Sequence, residues 1–408
     1  MKINSCEQNA YFHHLREIYG EDVITDEAFL KTAVQREFEW QRHDMNAQLT
    51  PKSSASNVKS DRFLFIPLQK CTFKCQHCWV FGSPDSDCVL NEEHLCSIKQ
   101  NIGHIQQVTV SGGEFFLHPS FRKILSDFPV QCIYTNGFWG YPNSNCHFYL
   151  QDIKAAVDIN PQINPNRLTM ILSFDNFHSE NFHSSAEEAL SGIISAAYEL
   201  FPDMNLRISQ TNNGPVASSV TPVIEALKAS GFSVLQNEKV SSNGNIKTIS
   251  YQYSKNGLPV KTLFADIFPL TRIGRAVFQK SHFSPEKWWE NMPLSRHQFT
   301  IGPDGGVGLY EILYAPPVPY CAGNLFEATW NQIAETILRD PIAITLQASC
   351  LSFIWEYLHT HHHKLALRLR QNTQSVQQFM YLLLIEPERR LQLNRFLTER
   401  LYHAGIWN

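Results

Sequence analysis

The chain has 408 residues, 43% of them hydrophobic and 18% charged, with a formal net charge of −4. This composition is typical of a soluble globular protein, and the length allows two or three domains or one barrel-sized domain with additions. Because nucleic-acid-binding proteins usually carry a basic surface, the slight acidic excess argues against a nucleic-acid partner.

The sequence carries no targeting signal that we recognise. Its first twenty residues lack the apolar core of a secretory signal, and the longest apolar run, at 379–385, is too short to cross a membrane. We therefore expect a cytoplasmic protein with no membrane partner. In that compartment, ten cysteines indicate metal ligands or buried thiols rather than a disulfide framework.

Residues 1–60 are predicted to form a helical extension followed by a linker. Thr25 can cap a helix whose first turn contains Asp26 and Glu27, where acidic side chains suit the helix dipole. The segment TPKSSASNVKS at 50–60 is polar, serine-rich and contains a proline, as linkers commonly do.

From residue 61 to residue 276, short β-like runs alternate with helical stretches. This alternation predicts βα units, a parallel sheet and an α/β fold. Strands are predicted at 63–69, 107–112, 130–137, 168–175 and 204–212, and helices after Asn91, after Pro119 and near 148–157, 184–200 and 219–231.

A different pattern follows residue 276. Asp304-Gly305 lies between two β-like runs, which predicts a hairpin region at 277–330. The segment 331–408 is predicted to be a helical tail, whose apolar stripe we expect to pack on the body of the protein rather than on a partner. The stripe consists of Leu393, Phe396, Leu397, Leu401 and Ala404. The histidines His359, His361, His362 and His363 are interpreted as a solvated helix face or turn, not as a metal site.

Three cysteines follow the first predicted strand in the segment KCTFKCQHCWV. Cys71, Cys75 and Cys78 have the spacing C-x3-C-x2-C. Thiolates hold iron–sulfur clusters, normally four of them for a [4Fe–4S] cube, so three cysteines on one loop can hold three irons and leave the fourth open. An open position is what a metal centre needs in order to act on a ligand rather than to brace a fold.

Two other interpretations of these cysteines stay open. A zinc site could use His77 as a fourth ligand, although zinc sites usually pair two ligands from one loop with two from elsewhere. The three thiols could also be buried and bind nothing. A non-catalytic zinc-knuckle binding protein is therefore an alternative function from another class.

The spacing, placed after the first strand of a βα series, resembles the signature of the radical SAM superfamily. In that family the residue before the last cysteine is commonly aromatic or histidine, and here it is His77. The resemblance implies a (β/α)6 partial TIM barrel with one [4Fe–4S] cluster and S-adenosylmethionine (SAM) as cofactors. It also implies that the reduced cluster cleaves SAM to a 5′-deoxyadenosyl radical, which abstracts hydrogen from the substrate, and that a flavodoxin or ferredoxin donates the electron.

Further residues extend the resemblance to SAM binding. Gly112, Gly113 and Glu114 follow the second strand, where the family's Gly-Gly-Glu motif binds the methionine ammonium group. Ser173, in the fourth strand, resembles a serine that contacts the SAM ribose. Arg207, in the fifth strand, is placed to pair with the methionine carboxylate, since a guanidinium suits carboxylate geometry.

Other positions carry weaker signals. YTNG at 134–137 resembles the family's Thr-Asn-Gly strand end, and TRIGRA at 271–276 resembles a Gly-Arg-Ala that closes the core in many members. Asp175 is expected at the mouth of the barrel, where polar groups meet ligands. His178 and Glu180 could be acid–base or substrate-binding groups or ordinary loop residues, so no catalytic residue is assigned.

The segment IGPDGGVGLYEILYAPPVPYCAGNLFE resembles the SPASM or twitch extension of radical SAM enzymes, in which a hairpin is followed by cysteines for auxiliary clusters and a Gly-Asn-Leu. The Gly-Asn-Leu is present at 323–325, but Leu309 and Tyr310 occupy the stretch where the first cysteine is expected. Only Cys321 and Cys350 remain in this half of the chain, and two thiols fall short of four. The extension is therefore predicted to be degenerate, without an auxiliary cluster.

These observations favour a radical SAM oxidoreductase acting on a peptide or a natural-product intermediate, because SPASM-like extensions are common in peptide maturases. A radical SAM enzyme acting on a small metabolite, such as a nucleoside, sugar or lipid precursor, fits the missing cysteines equally well.

Overall fold

A computed structural model describes the backbone of most of the chain. It covers residues 10, 13, 15–17, 62–105, 107–182, 185–212, 219–237, 241–243, 246–269, 298–309, 320–347, 351–372 and 376–406. The predicted N-terminal extension and linker fall almost wholly outside these residues, as does the Gly-Arg-Ala segment at 271–276.

The strands of the described residues belong to one mixed sheet. They are β1 (Arg62–Phe65), β2 (Gln107–Val110), β3 (Val130–Thr135), β4 (Thr169–Ser173), β5 (Asn205–Asn212), β6 (Ser233–Gln236), β7 (Ser241–Asn243), β8 (Ile246–Ser254), β9 (Lys261–Pro269), β10 (Gln298–Ile301), β11 (Gly306–Leu309) and β12 (Gly323–Asn324).

Helices connect and cover these strands. They are α1 (Glu92–Ile102), α2 (Phe121–Asp127), α3 (Asn143–Ile159), α4 (Asn176–Ser179), α5 (Ala186–Leu200), α6 (Thr221–Ala229), α7 (Trp330–Leu338), α8 (Pro341–Gln347), α9 (Leu351–His361), α10 (His363–Asn372), α11 (Val376–Leu384) and α12 (Pro387–His403). None of these helices combines the length and the apolar character needed to cross a membrane.

Six neighbouring strands form the centre of the sheet in the order β1-β2-β3-β4-β5-β9, and every neighbouring pair among them is parallel. The predicted α/β class is therefore confirmed. Since parallel strands share one direction, the carboxyl ends of all six lie at the same edge of the sheet, where ligands bind in such folds. Curvature of this sheet into a partial TIM barrel stays a prediction.

Local sequence explains where the connecting helices begin and which of their residues are buried. The Asn91 side chain accepts the backbone N–H of His94 at 2.8 Å and so caps α1. Leu95, Ile98 and Ile102 then recur at the helical period and are buried. The β1 segment Phe63–Phe65 is apolar throughout and fully covered, as expected of a central parallel strand.

The sequence predicted the strands at one end of the sheet but not those at the other. The hairpin around Asp304-Gly305 is confirmed, since β10 and β11 pair antiparallel on either side of it. Beyond it, β10 adds to β1 in parallel, so the hairpin region continues the central sheet. At the opposite end, β8 pairs antiparallel with both β6 and β9, an addition that the sequence pattern did not predict.

The C-terminal helices pack on the body of the protein. Leu393, Leu397 and Leu401 of α12 are fully buried, which confirms the predicted role of the apolar stripe for these positions. Ala404 follows the end of the helix and is exposed, so the stripe ends one turn earlier than predicted. Three of the four histidines in the run are exposed at the junction of α9 and α10, as expected for a solvated turn.

Candidate active site

A cavity of about 220 Å³ opens at the carboxyl edge of the parallel strands. Its walls come from the loop after β1 and from the ends of β2, β3, β4 and β5, so five consecutive strands contribute to one space. The residues that line it are Cys71, Phe73, Cys75, His77, Cys78, Trp79, Val80, Gly82, Ser111, Gly112, Gly113, Tyr134, Thr135, Asn136, Ser173, Asp175, His178, Ser209 and Thr211. The fold thus brings together nearly all the residues that the sequence singled out.

The three cysteines lie on the loop that leaves β1. Cys71 and Cys75 are buried and Cys78 is half-buried. The backbone N–H of Phe73 donates to Cys71 Sγ at 3.4 Å, and that of Gly82 donates to Cys78 Sγ at 3.3 Å. N–H groups directed at sulfur stabilise thiolates, as they do around iron–sulfur clusters.

The thiol of Cys71 is not a free nucleophile. Burial raises its pKa to about 12, and the nearby Glu114 carboxylate also raises it. A thiol with such a pKa is almost wholly protonated at neutral pH and is inert, whereas coordination to a metal removes the proton outright. The environment of Cys71 therefore suits a metal ligand and not a catalytic nucleophile.

One set of side chains at the cavity is close enough to hold a cation. Among the residues that the structure describes, the only set of three or more ligand atoms within 4.8 Å of one another is His77, Asp175 and His178. The iron–sulfur and zinc interpretations of Cys71, Cys75 and Cys78 both stay predictions.

The Gly-Gly-Glu segment packs its backbone against the cysteine loop. The N–H of Gly113 donates to Leu68 O at 2.9 Å, and the N–H of Glu114 donates to Lys70 O at 2.8 Å. A Cβ on Gly112 would lie 2.5 Å from Leu68 O, and one on Gly113 would overlap Lys70 O. Glycine is required here because any side chain would push the two loops apart.

The carboxylate of Glu114 is directed into the protein rather than into the cavity. It accepts hydrogen bonds from Thr135 Oγ1 at 2.9 Å and from the N–H groups of Asn136 at 2.8 Å and Phe116 at 3.2 Å. Burial raises its pKa to about 7 in spite of these bonds. The expected contact with the SAM ammonium group stays a prediction. Within the protein, this side chain fixes the end of β3, and its backbone fixes the cysteine loop.

Asp175 orients two histidines at the cavity wall. It accepts from His178 Nδ1 at 2.8 Å and from the Thr211 N–H at 3.2 Å, and His77 Nε2 lies 3.7 Å away. Burial alone would raise its pKa, but His178 and His77 together hold the pKa below its usual range. Although the three side chains are close enough for a cation, these donors already occupy both oxygens, which indicates an orienting role.

Two of the remaining candidates, Glu180 and Arg207, do not line the cavity. Ser173 lines it, but Glu180 is exposed on the loop beyond α4. Arg207 lies on β5 and forms a bidentate ion pair with Asp266 of β9, at 2.6 Å and 2.7 Å, while its guanidinium stacks over the Phe264 ring. The expected pairing of Arg207 with the SAM carboxylate stays a prediction, and the carboxylate that Arg207 contacts in this structure is that of Asp266 on the neighbouring strand.

Replacing Arg207 with leucine should destabilise the protein and leave SAM affinity unchanged. The buried Asp266 would lose a charged partner, at a cost of roughly 1.5–3 kcal/mol. Chemical denaturation and anaerobic SAM titration measure the two effects. The double variant Arg207→Leu/Asp266→Leu should recover part of the lost stability, since no unpaired charge remains. Tenfold weaker SAM binding at unchanged stability would restore the interpretation made from the sequence.

Sequence reasoning did not single out several residues of the cavity wall. Ser209 and Thr211 follow Arg207 at every second position of β5, and this alternation places them on one face of the strand. This alternation is visible in the sequence and could have predicted that Ser209 and Thr211 share a face with Arg207. Asn181, which contacts the cysteine loop from the segment after α4, offers no such signal, because nothing in its local sequence indicates a partner about a hundred residues away.

Comparison with known proteins gives distant likenesses. No family model matches the chain, and no curated protein does. Among solved structures it is similar to a histidine-tagged form of anSMEcpe with bound AdoMet, with 13% identity over 84% of this chain and 98% of that chain and a TM-score of 0.43. It is also similar to SuiB of Streptococcus suis, with 13% identity over 82% of each chain and a TM-score of 0.36. The same protein bound to the precursor peptide SuiA gives 12% identity over 82% of each chain and a TM-score of 0.31.

Proposed function

We propose that this protein is a radical SAM enzyme whose [4Fe–4S] cluster is held by Cys71, Cys75 and Cys78. The observation that carries the proposal is the meeting of these cysteines with Gly112 and Gly113 at one cavity at the carboxyl edge of the parallel strands. The donor set fits the cluster, since three thiols lie on one loop at one cavity and two of the sulfurs accept backbone N–H bonds.

The chain's own residues have binding and positioning roles in this proposal. When bound, the cluster and SAM supply the radical that abstracts hydrogen from the substrate. Gly112 and Gly113 hold the cysteine loop and bring their backbone to the cavity, where Ser173 offers a hydroxyl to SAM. His77, next to Cys78, presents an imidazole to the same space, and its Nε2 lies 3.7 Å from the Asp175 carboxylate. The aromatic rings of Phe73 and Trp79 line the wall and exclude water.

A peptide or natural-product intermediate is the substrate class that we favour. The support is the hairpin formed by β10 and β11, followed by β12 with its Gly-Asn-Leu, which resembles the SPASM or twitch extension. A small-metabolite substrate is the second candidate, because the extension lacks the cysteines of auxiliary clusters. A cytoplasmic flavodoxin or ferredoxin is the expected electron donor in either case. Product analysis after incubation with candidate substrates of both classes would separate them.

The number of clusters provides a direct test of the proposal. Anaerobic reconstitution should give about four irons per chain and 5′-deoxyadenosine when SAM and a reductant are added. Cys321→Ala should leave both values unchanged, because the Cys321 thiol donates to Gly323 O at 3.3 Å within the extension. Roughly eight irons per chain, halved by Cys321→Ala, would show that the extension holds a second cluster. Zinc as the only bound metal would overturn the proposal itself.

A further inference from the structure

Asn181 links the segment after α4 to the cysteine loop through every polar atom of its carboxamide. Its Nδ2 donates to Phe177 O at 2.7 Å and to Cys75 Sγ at 3.8 Å, while its Oδ1 accepts the backbone N–H of Lys74 at 3.3 Å. With both hydrogens and the oxygen engaged, the amide is held in one orientation, and that orientation directs an N–H at the sulfur.

Asn136, at the end of β3, makes the corresponding contact with the first cysteine. Its Nδ2 donates to Cys71 Sγ at 3.5 Å and to Thr72 Oγ1 at 3.1 Å, and its Oδ1 accepts the N–H of Phe138 at 3.0 Å. This side chain is only 6% exposed. Two carboxamides, one at the end of β3 and one in the segment after α4, therefore reach the same loop, and each directs an N–H at a different cysteine sulfur.

Hydrogen bonds to ligand sulfurs favour the reduced form of an iron–sulfur cluster. Reduction adds negative charge, part of which resides on the sulfurs, and an N–H dipole directed at a sulfur stabilises that charge. The effect is larger in a buried site, where the effective dielectric constant is low. An amide that donates to a ligand sulfur therefore raises the reduction potential without touching the iron.

We propose that Asn181 and Asn136 are positioning residues that raise the reduction potential of the cluster held by Cys71, Cys75 and Cys78. The inference rests on the proposed function, because it needs that cluster to form. Asn181 gives the sharper test, since it does not line the cavity and its replacement leaves the SAM-binding surface intact.

The test is an EPR-monitored redox titration of the reconstituted parent and three variants, without SAM. Asn181→Leu removes both the N–H donor and the acceptor at similar volume. Asn181→Asp keeps the acceptor for the Lys74 N–H and loses the donor. Asn176→Asp adds the same charge at the exposed first residue of α4 and shows how far an added charge near this segment shifts the potential.

Both Asn181 variants should shift the midpoint potential to more negative values, and the shift of Asn181→Asp should exceed that of Asn176→Asp. One lost hydrogen bond corresponds to an about fivefold lower ratio of reduced to oxidised cluster at a fixed potential. If Asn181→Leu loses its iron, Asn181→Ala replaces it as the neutral variant without the N–H donor.

The outcomes separate the two levels of the proposal. A parent protein that binds no iron–sulfur cluster would overturn the proposed function. A parent that binds the cluster, together with Asn181 variants that keep its potential, would overturn this inference alone. Loss of iron from both Asn181 variants would overturn it too, since the amide would then serve only to hold the loop.

Discussion

Alanine at any one of Cys71, Cys75 and Cys78 should reduce the cluster iron to near zero and abolish 5′-deoxyadenosine formation. Each thiolate holds one iron of the cube, and Cys88, the fourth cysteine of the loop between β1 and α1, does not line the cavity, so we do not expect it to replace the one removed. The measurements are iron content after anaerobic reconstitution and chromatography of the products of SAM.

Matched controls separate ligand loss from misfolding. Cys96 is exposed and Cys146 is buried, and both lie outside the cavity, so Cys96→Ala and Cys146→Ala should keep the parent's iron and activity. Removal of a small buried thiol leaves only a small cavity, and the three ligand variants should therefore stay folded by circular dichroism. Parent-like 5′-deoxyadenosine formation in any ligand variant would refute the assignment of that cysteine.

The features that the sequence predicted well are encoded within short segments. Three cysteines on one loop and two adjacent glycines are visible as letters, and their positions after β1 and β2 follow from strand signals a few residues earlier. The steric reason for Gly112 and Gly113 is likewise local, since the backbone they meet belongs to the loop between Leu68 and Lys70. Chemistry that depends on neighbours in the chain could be inferred from composition and spacing.

The features that the sequence predicted poorly depend on partners distant in the chain. Arg207 was expected to bind a ligand carboxylate, but its partner Asp266 lies 59 residues later, on a strand for which no prediction was made. The antiparallel addition of β8 was not predicted, because its short alternation of apolar and polar residues lies in a polar segment that is rich in serine. Only the pairing of β5 with β9 reveals that Arg207 already has a carboxylate.

Glu114 depends both on its place in a short motif and on partners distant in the chain. Its place in the Gly-Gly-Glu motif was evident, but the direction of its carboxylate was not, because Thr135 and Asn136 are more than twenty residues away. The structure buries this group at 1% exposure and raises its pKa to about 7 from an ordinary value of 4.5. A raised pKa in the folded state makes stability depend on pH.

Glutamine at position 114 should abolish a pH dependence that the parent shows. Below pH 4.5 the carboxyl is protonated in both folded and unfolded chains, and its contribution to stability is fully present. As the pH rises through 7, the unfolded chain ionises first and the contribution is lost, by an amount on the order of 3 kcal/mol. The neutral and nearly isosteric Glu114→Gln variant lacks this loss, so its free energy of unfolding should gain on the parent's between pH 4.5 and pH 8.

Denaturant unfolding of the metal-free parent and Glu114→Gln across this range measures the difference, and subtraction of the two curves removes the titration of all other groups. Iron content after reconstitution should be the same in both proteins, since Glu114 is not a cluster ligand.

SAM titration provides the opposing test. A carboxylate that paired directly with the SAM ammonium group would contribute about 1.5–3 kcal/mol, or roughly ten- to a hundredfold in affinity. The free energies of unfolding of the two proteins could instead change with pH in the same way, while Glu114→Gln loses SAM affinity to this extent. That result would show that Glu114 binds SAM directly and that its contacts with Thr135 and Asn136 are secondary.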